Sequence, residues 1–131
     1  MKFLLFFLAS LMAVAVVACG GGATKFEKGK LVTGTISSSD SNIEGWNSET
    51  YVVDVFADIQ YFIRLTSVNG NVMGIWSAEG DEYIVEVNSE ESVRTGNYIF
   101  SETGPQELFL RSPESDTPAD FTFTLWTPSS T

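Results

Sequence analysis

The sequence predicts an all-β fold, an antiparallel β-sandwich of jelly-roll type with about eight strands, behind a cleaved N-terminal signal segment. Three observations lead to this prediction. Apolar and polar residues alternate at a period of two beyond residue 30, and no stretch there has the spacing of an amphipathic helix. Turn residues separate the alternating segments. The chain has 131 residues, which is enough for one domain.

Eight segments carry the alternation, and they are rich in the β-branched and aromatic residues that strands prefer. Asn69-Gly70 predicts a two-residue hairpin between the third and fourth strands, because both residues tolerate positive φ. Residues 95–97 are interpreted as a turn, and residues 37–48 as a long Ser-rich loop that holds Trp46. The predicted strands span residues 31–37, 51–56, 61–66, 72–76, 83–88, 98–100, 107–111 and 121–126.

The N-terminus has the pattern of an export signal. Lys2 precedes an apolar run over residues 3–18, which is shorter than the about 20 residues of a spanning helix. The sequence Val16-Val17-Ala18-Cys19 resembles the lipobox of bacterial lipoproteins, and this resemblance implies a signal peptide over residues 1–18 and lipidation of Cys19. The remaining alternative is an ordinary secretory signal with a chance Cys. We expect a tether over residues 19–30, a sandwich over residues 31–127 and a tail over residues 128–131.

The mature domain expected after cleavage also carries motifs of a known family. A Gly34-Thr35-Ile36 strand runs into a Ser-rich Asp turn, a Tyr51 to Val55 strand follows, and two late segments span residues 104–111 and 121–125. This order resembles the bacterial pre-peptidase C-terminal domain over residues 28–127. The resemblance implies a jelly-roll-like sandwich, an extracytoplasmic setting, a binding role and no catalytic residue. Two departures are a longer connection over residues 42–49 and Leu108-Phe109 where the family prefers Tyr.

Composition excludes several classes of function. The chain has no His and one Cys, so His-based triads, His-ligated zinc and internal disulfides are excluded. Its 17 acidic and 7 basic residues give a net charge of −10, which argues against nucleic-acid binding. The Lys residues beyond the signal precede the first predicted strand, where a buried general base is not expected. We therefore interpret the acids as a solubilising surface and expect no enzyme.

Calcium is the one metal that the sequence suggests. Ca²⁺ takes oxygen ligands from acidic loops, and Asp40, Asp81 and Glu82 lie in two such loops. Neither loop has the spacing of an EF-hand. The alternative for Asp40 is that its carboxylate caps its own turn. We otherwise expect no cofactor.

The aromatic residues supply the candidate ligand-binding site. Strand phase directs Phe56, Phe62 and Trp126 away from the core, and the other two candidates are Trp46 in the predicted loop and Trp76 at the end of the fourth predicted strand. If they share an exposed face, they form a platform that can stack on sugar rings or seat a protein partner. The alternative is that loops and the second sheet cover them.

The function predicted from these features is that of an extracytoplasmic lipoprotein held at the membrane through Cys19. Its sandwich is expected to be a non-catalytic binding or envelope-structural module, whose partner is another envelope protein or a glycan. The alternative is a carbohydrate-binding accessory domain that acts beside secreted hydrolases. The location expected is the bacterial cell envelope, and Gly20 after the lipobox favours the outer membrane in a Gram-negative host.

Overall fold

Eleven β-strands and one short 3-10 helix, Glu114–Asp116, make up the secondary structure in the described part of the chain. The structure is a computed structural model that describes residues 17–18 and 23–128. Most of the predicted signal peptide and the predicted lipidation site at Cys19 lie outside these residues. The strands are β1 (Val17–Ala18), β2 (Thr24–Lys25), β3 (Val32–Ile36), β4 (Ser41–Ile43), β5 (Trp46–Val55), β6 (Gln60–Ser67), β7 (Met73–Ser77), β8 (Glu82–Val87), β9 (Val93–Ile99), β10 (Gly104–Pro113) and β11 (Ala119–Trp126).

The strands form two sheets with jelly-roll connectivity. The seven-stranded sheet has the order β1-β2-β5-β10-β7-β8, with β4 added beside β5, and the four-stranded sheet has the order β3-β11-β6-β9. The antiparallel pairs are nested along the chain, from β7 with β8 outward through β6 with β9 and β5 with β10 to β3 with β11. Such nesting folds a long hairpin into two sheets. The predicted β-sandwich is therefore confirmed.

The core lies between the sheets and follows from the alternation. In β11 every second residue is buried, namely Ala119, Phe121, Phe123 and Leu125. The Phe123 ring packs edge-on against Tyr51, with 5.3 Å between ring centroids. Gly34 leaves space for these rings, because a Cβ there would lie 2.8 Å from Phe121 Cζ. Burial of this apolar set supplies the main stabilisation of the fold.

Three local predictions are wrong. The loop predicted over residues 37–48 contains β4 and the start of β5, joined by a turn in which Glu44 and Gly45 both have positive φ. Asn69-Gly70 is not a hairpin turn, because β6 and β7 belong to different sheets and the segment crosses between them. The turn predicted over residues 95–97 lies inside β9, where Gly96 packs against the carbonyl of Ile84.

The domain begins earlier than the sequence predicts. Thr24–Lys25 pairs in parallel with β5, and the Phe26 amide donates to the Val52 carbonyl at 3.0 Å. Phe26 is 2 % exposed, and its ring lies 5.0 Å from that of Phe123. Residues 24–26 therefore belong to the sandwich, not to a tether. No helix in the described ranges is long and apolar enough to cross a membrane.

Candidate functional site

The outer face of the seven-stranded sheet carries a group of three aromatic rings around one arginine. The guanidinium carbon Cζ of Arg111 lies 5.5 Å from the ring centroid of Trp46, 5.1 Å from that of Trp76 and 5.8 Å from that of Tyr83. The Tyr83 ring stands edge-on to Trp76 at 4.8 Å. We call these four residues the Arg111 cluster. Each is partly exposed, so the group forms a surface site and not part of the core.

Strand register assembles the cluster from four strands. Trp46 in β5 and Arg111 in β10 point outward because their neighbours Asn47 and Ser112 are buried. An irregularity in the pairing of β7 with β8 sets Trp76 opposite Tyr83. Gly74 lies below, where a Cβ would approach the Tyr83 ring to 2.7 Å. The missing side chain thus lets the Tyr83 ring lie against the sheet.

Arg111 has no acidic partner among the described residues. The ion pairs found there join Lys25 to Asp54 and Arg94 to Glu91. Burial raises the pKa of Tyr83, while the charge of Arg111 acts in the opposite direction. Tyr83 therefore stays a neutral phenol at physiological pH. The cluster offers a guanidinium held by ring faces, whose N–H groups can bind an acceptor from outside.

The other predicted aromatic residues lie elsewhere, so a single shared platform does not exist. Phe62 and Trp126 pair on the outer face of the four-stranded sheet, with ring centroids 5.9 Å apart. Arg64 lies over the Trp126 ring at 5.6 Å. Phe56 follows the end of β5 and is 61 % exposed, with the Lys28 ammonium 5.2 Å from its ring. The expected surface is split because β5 and β7 belong to one sheet while β6 and β11 belong to the other.

The predicted calcium ligands lie in two separate turns. Asp40 precedes β4, and its Oδ2 accepts the Ser37 amide at 2.7 Å, which is the turn-capping geometry. Asp81 lies in the turn between β7 and β8, and Glu82 is the first residue of β8. Within the described ranges, no three acidic or thiol side chains group in a way that could hold a metal ion. Calcium binding stays a prediction.

One titratable residue escaped the sequence analysis. Glu49 faces inward from β5, in phase with the buried Asn47 and Tyr51. The Tyr51 hydroxyl donates to Glu49 Oε1 at 3.0 Å. Burial raises the pKa of Glu49 from 4.5 to about 7, and the neighbouring Asp40 carboxylate adds to the rise. Extending the alternation of β5 backward from Tyr51 would have revealed its inward orientation.

The hollow beside Glu79 offers poor support for carboxylate catalysis. A hollow of about 500 Å³ has Glu79 and Glu107 in its lining. Glu79 accepts hydrogen bonds from the Tyr98 hydroxyl at 3.0 Å and the Ser101 amide at 2.9 Å. Desolvation raises the pKa of Glu79, but these hydrogen bonds outweigh it and lower the pKa overall. The carboxylate therefore stays ionised, and its oxygens are engaged by Tyr98 and Ser101. A paired general acid would need a raised pKa instead.

Similarity to known proteins is visible at the level of the fold. No protein-family model and no curated protein sequence matches the chain. The pre-peptidase C-terminal domain of a collagenase from Bacillus anthracis superposes with a TM-score of 0.60, at 11 % identity, over 83 % of this chain and 99 % of that domain. CorA, a surface-associated copper-binding protein of Methylomicrobium album BG8, gives 0.52 at 10 % identity, over 88 % and 100 %. PliG, a periplasmic lysozyme inhibitor of Aeromonas hydrophila, gives 0.47 at 10 % identity, over 79 % and 97 %. The fold thus resembles that of the pre-peptidase C-terminal domain.

Proposed function

We propose that this protein is a lipid-anchored, extracytoplasmic and non-catalytic module that binds a partner protein through the Arg111 cluster. The observation that carries the proposal is the Arg111 guanidinium, which lies over three aromatic rings and makes no ion pair within the described ranges.

The composition of the cluster is that of a binding hot spot. Trp, Tyr and Arg are the residue types most enriched among side chains that dominate protein interfaces. The four side chains project from paired strands, so little conformational entropy is lost when they are buried by a partner. A carboxylate of the partner could bind the guanidinium through two parallel hydrogen bonds while the rings exclude water.

The proposed location rests on the N-terminal sequence. The lipobox-like residues before Cys19 support export and anchoring, and several fatty-acyl chains give stable attachment. CorA, which has a similar fold, is surface-associated. Two features support a non-catalytic role. The sequence has no His, and the Glu79 carboxylate is engaged by hydrogen bonds from Tyr98 and Ser101.

Site-specific photocrosslinking in the native host tests the proposal. A photoreactive residue in place of Ser48 would lie beside the cluster, because Ser48 pairs with Arg111 across the sheet. The matched control replaces Thr122 on the opposite outer face. We expect an adduct of defined mass from position 48 that disappears when Trp76→Ala is added, and no such adduct from position 122. An adduct that persists in Trp76→Ala, or none at position 48, would contradict the proposal.

A further inference from the structure

The outer face of the four-stranded sheet carries threonine hydroxyl groups arranged in rows. Thr33, Thr122 and Thr66 lie side by side on three adjacent strands. The next row holds Thr124, Arg64 and Thr95, and the row after it holds Trp126, Phe62 and Asn97. We call this surface the threonine face. Its outward residues are Thr33, Thr35, Gln60, Phe62, Arg64, Thr66, Val93, Thr95, Asn97, Ile99, Asp120, Thr122, Thr124 and Trp126.

Most of these hydroxyls are available to a ligand. Thr35 donates to Asp120 at one end of the face. No hydrogen bond from another side chain or the backbone engages the other five Thr hydroxyls in the part of the chain that the structure describes, and each of them can donate and accept. Thr is common on exposed strands, so the hydroxyls alone would indicate only strand propensity. Strand propensity does not explain the two aromatic rings beside these hydroxyls. Phe62 and Trp126 lie next to each other with an angle of 28° between their ring planes.

The charge of the face sets it apart from the rest of the protein. Arg64 and Asp120 are its two charged residues, although the chain carries a net charge of −10. Asp120 is turned toward Thr35 and Asn69 at the edge. The outer face of the other sheet is more highly charged and carries Asp54, Glu86 and Glu107 together with Lys25 and Arg111. The threonine face is thus sparsely charged, with Arg64 at its centre, and it matches an uncharged ligand because a polyanion would be repelled by the acids elsewhere on the protein.

We infer that the threonine face binds an uncharged polysaccharide. The C–H face of a sugar ring can stack on the exposed part of the Phe62 and Trp126 rings, beside the Arg64 guanidinium that lies over Trp126. Hydroxyls of the following sugars can bond to Thr124 and Thr95, which flank Arg64 and lie two strand spacings, or about 9.6 Å, apart. The site lies on the opposite face from the Arg111 cluster and does not depend on it.

The test is retention of the full-length protein, purified in mild detergent, on insoluble neutral polysaccharides such as cellulose, xylan and chitin. Polygalacturonate serves as the anionic probe. Trp126→Ala removes the stacking ring, and the double variant Thr95→Val with Thr124→Val removes the two proposed hydroxyls at nearly constant volume. Phe56→Ala is the matched control, because it removes an exposed ring that lies outside the threonine face. Unchanged melting temperatures of the Val variant and the control establish that the fold is intact.

We expect at least one neutral polysaccharide to retain the wild type, with roughly tenfold weaker binding for Trp126→Ala and for the double Val variant. Phe56→Ala should bind as the wild type does. The inference would be overturned if no neutral polysaccharide retained the protein, or if the Val variant bound unchanged. Stronger retention on polygalacturonate that depends on Trp126 would also overturn it. None of these outcomes bears on crosslinking at position 48, so the two proposals fail separately.

Discussion

Replacing Glu49 by Gln should stabilise the protein at neutral and alkaline pH. The carboxyl faces inward between Asn47 and Tyr51, beside the acidic Asp40, and accepts one hydrogen bond from Tyr51. A Gln amide keeps the acceptor for Tyr51 and offers an N–H toward Asp40, as a protonated carboxyl does. It carries no charge at any pH, so the cost of ionising this position disappears.

The size of the effect follows from the raised pKa. A rise from 4.5 to about 7 corresponds to roughly 3 kcal/mol, at about 1.4 kcal/mol for each tenfold change. Glu49 remains partly in contact with water, which screens its interactions, so we expect about 1–2 kcal/mol. The folded state holds the proton more tightly than the unfolded state. Stability from this group is therefore full below pH 4.5 and is lost as the pH rises to about 7.

The assay is thermal or urea unfolding of the wild type and Glu49→Gln from pH 4 to pH 8. The two proteins should be equally stable at pH 4, and Glu49→Gln should be more stable by about 1–2 kcal/mol at pH 8, or roughly 5–10 °C in Tm. Other carboxylates titrate in both proteins and cancel in the difference. Equal stability at pH 8, or a difference that does not change with pH, would refute the reasoning.

Three further predictions concern the N-terminus and the core. Phe26→Ala should destabilise the domain by about 3–5 kcal/mol because it leaves a cavity in the core. A decrease in the free energy of unfolding below about 1 kcal/mol, measured by urea unfolding, would show that Phe26 belongs to the tether and not to the core. Gly34→Ala should cost about 1–3 kcal/mol in the same assay, since its Cβ meets the Tyr51 and Phe121 rings, and an unchanged midpoint would contradict that packing. Cys19→Ser should abolish partitioning into the detergent phase, and retained partitioning of the cleaved protein would exclude lipidation.

The alternation of side chains was sufficient to predict the sandwich. Strands such as β6 and β11 bury every second residue. The positions of their apolar residues in the sequence therefore show which side of each strand faces the core. Short pairings were missed because their signals are weak. Thr24–Lys25 has two residues and no alternation, and the turn at Glu44-Gly45 lacks the Asn that favours positive φ.

The candidate site was predicted in part. Strand phase directed Phe62 and Trp126 away from the core, and both side chains lie on the outer face of the four-stranded sheet. Phase cannot tell which sheet a strand joins, so it could not separate Trp126 from Trp76. Arg111 and Tyr83 were missed for the same reason, because they meet the tryptophans only through pairing between strands distant in the chain. The signal that was available is that Arg111 is an outward Arg with an outward aromatic two residues before it, at Phe109.

The affinity of the crosslinked partner for Arg111→Lys tests the central claim most directly. Lys keeps the charge but lacks the planar fork that stacks on rings and binds a carboxylate through two hydrogen bonds. Arg64→Lys is the matched control, since Arg64 also lies over a Trp ring but on the opposite face. Calorimetric titration of the purified partner should show about 10- to 100-fold weaker binding for Arg111→Lys and an unchanged Kd for Arg64→Lys. Equal affinity of wild type and Arg111→Lys would contradict the assignment of the Arg111 cluster as the binding site.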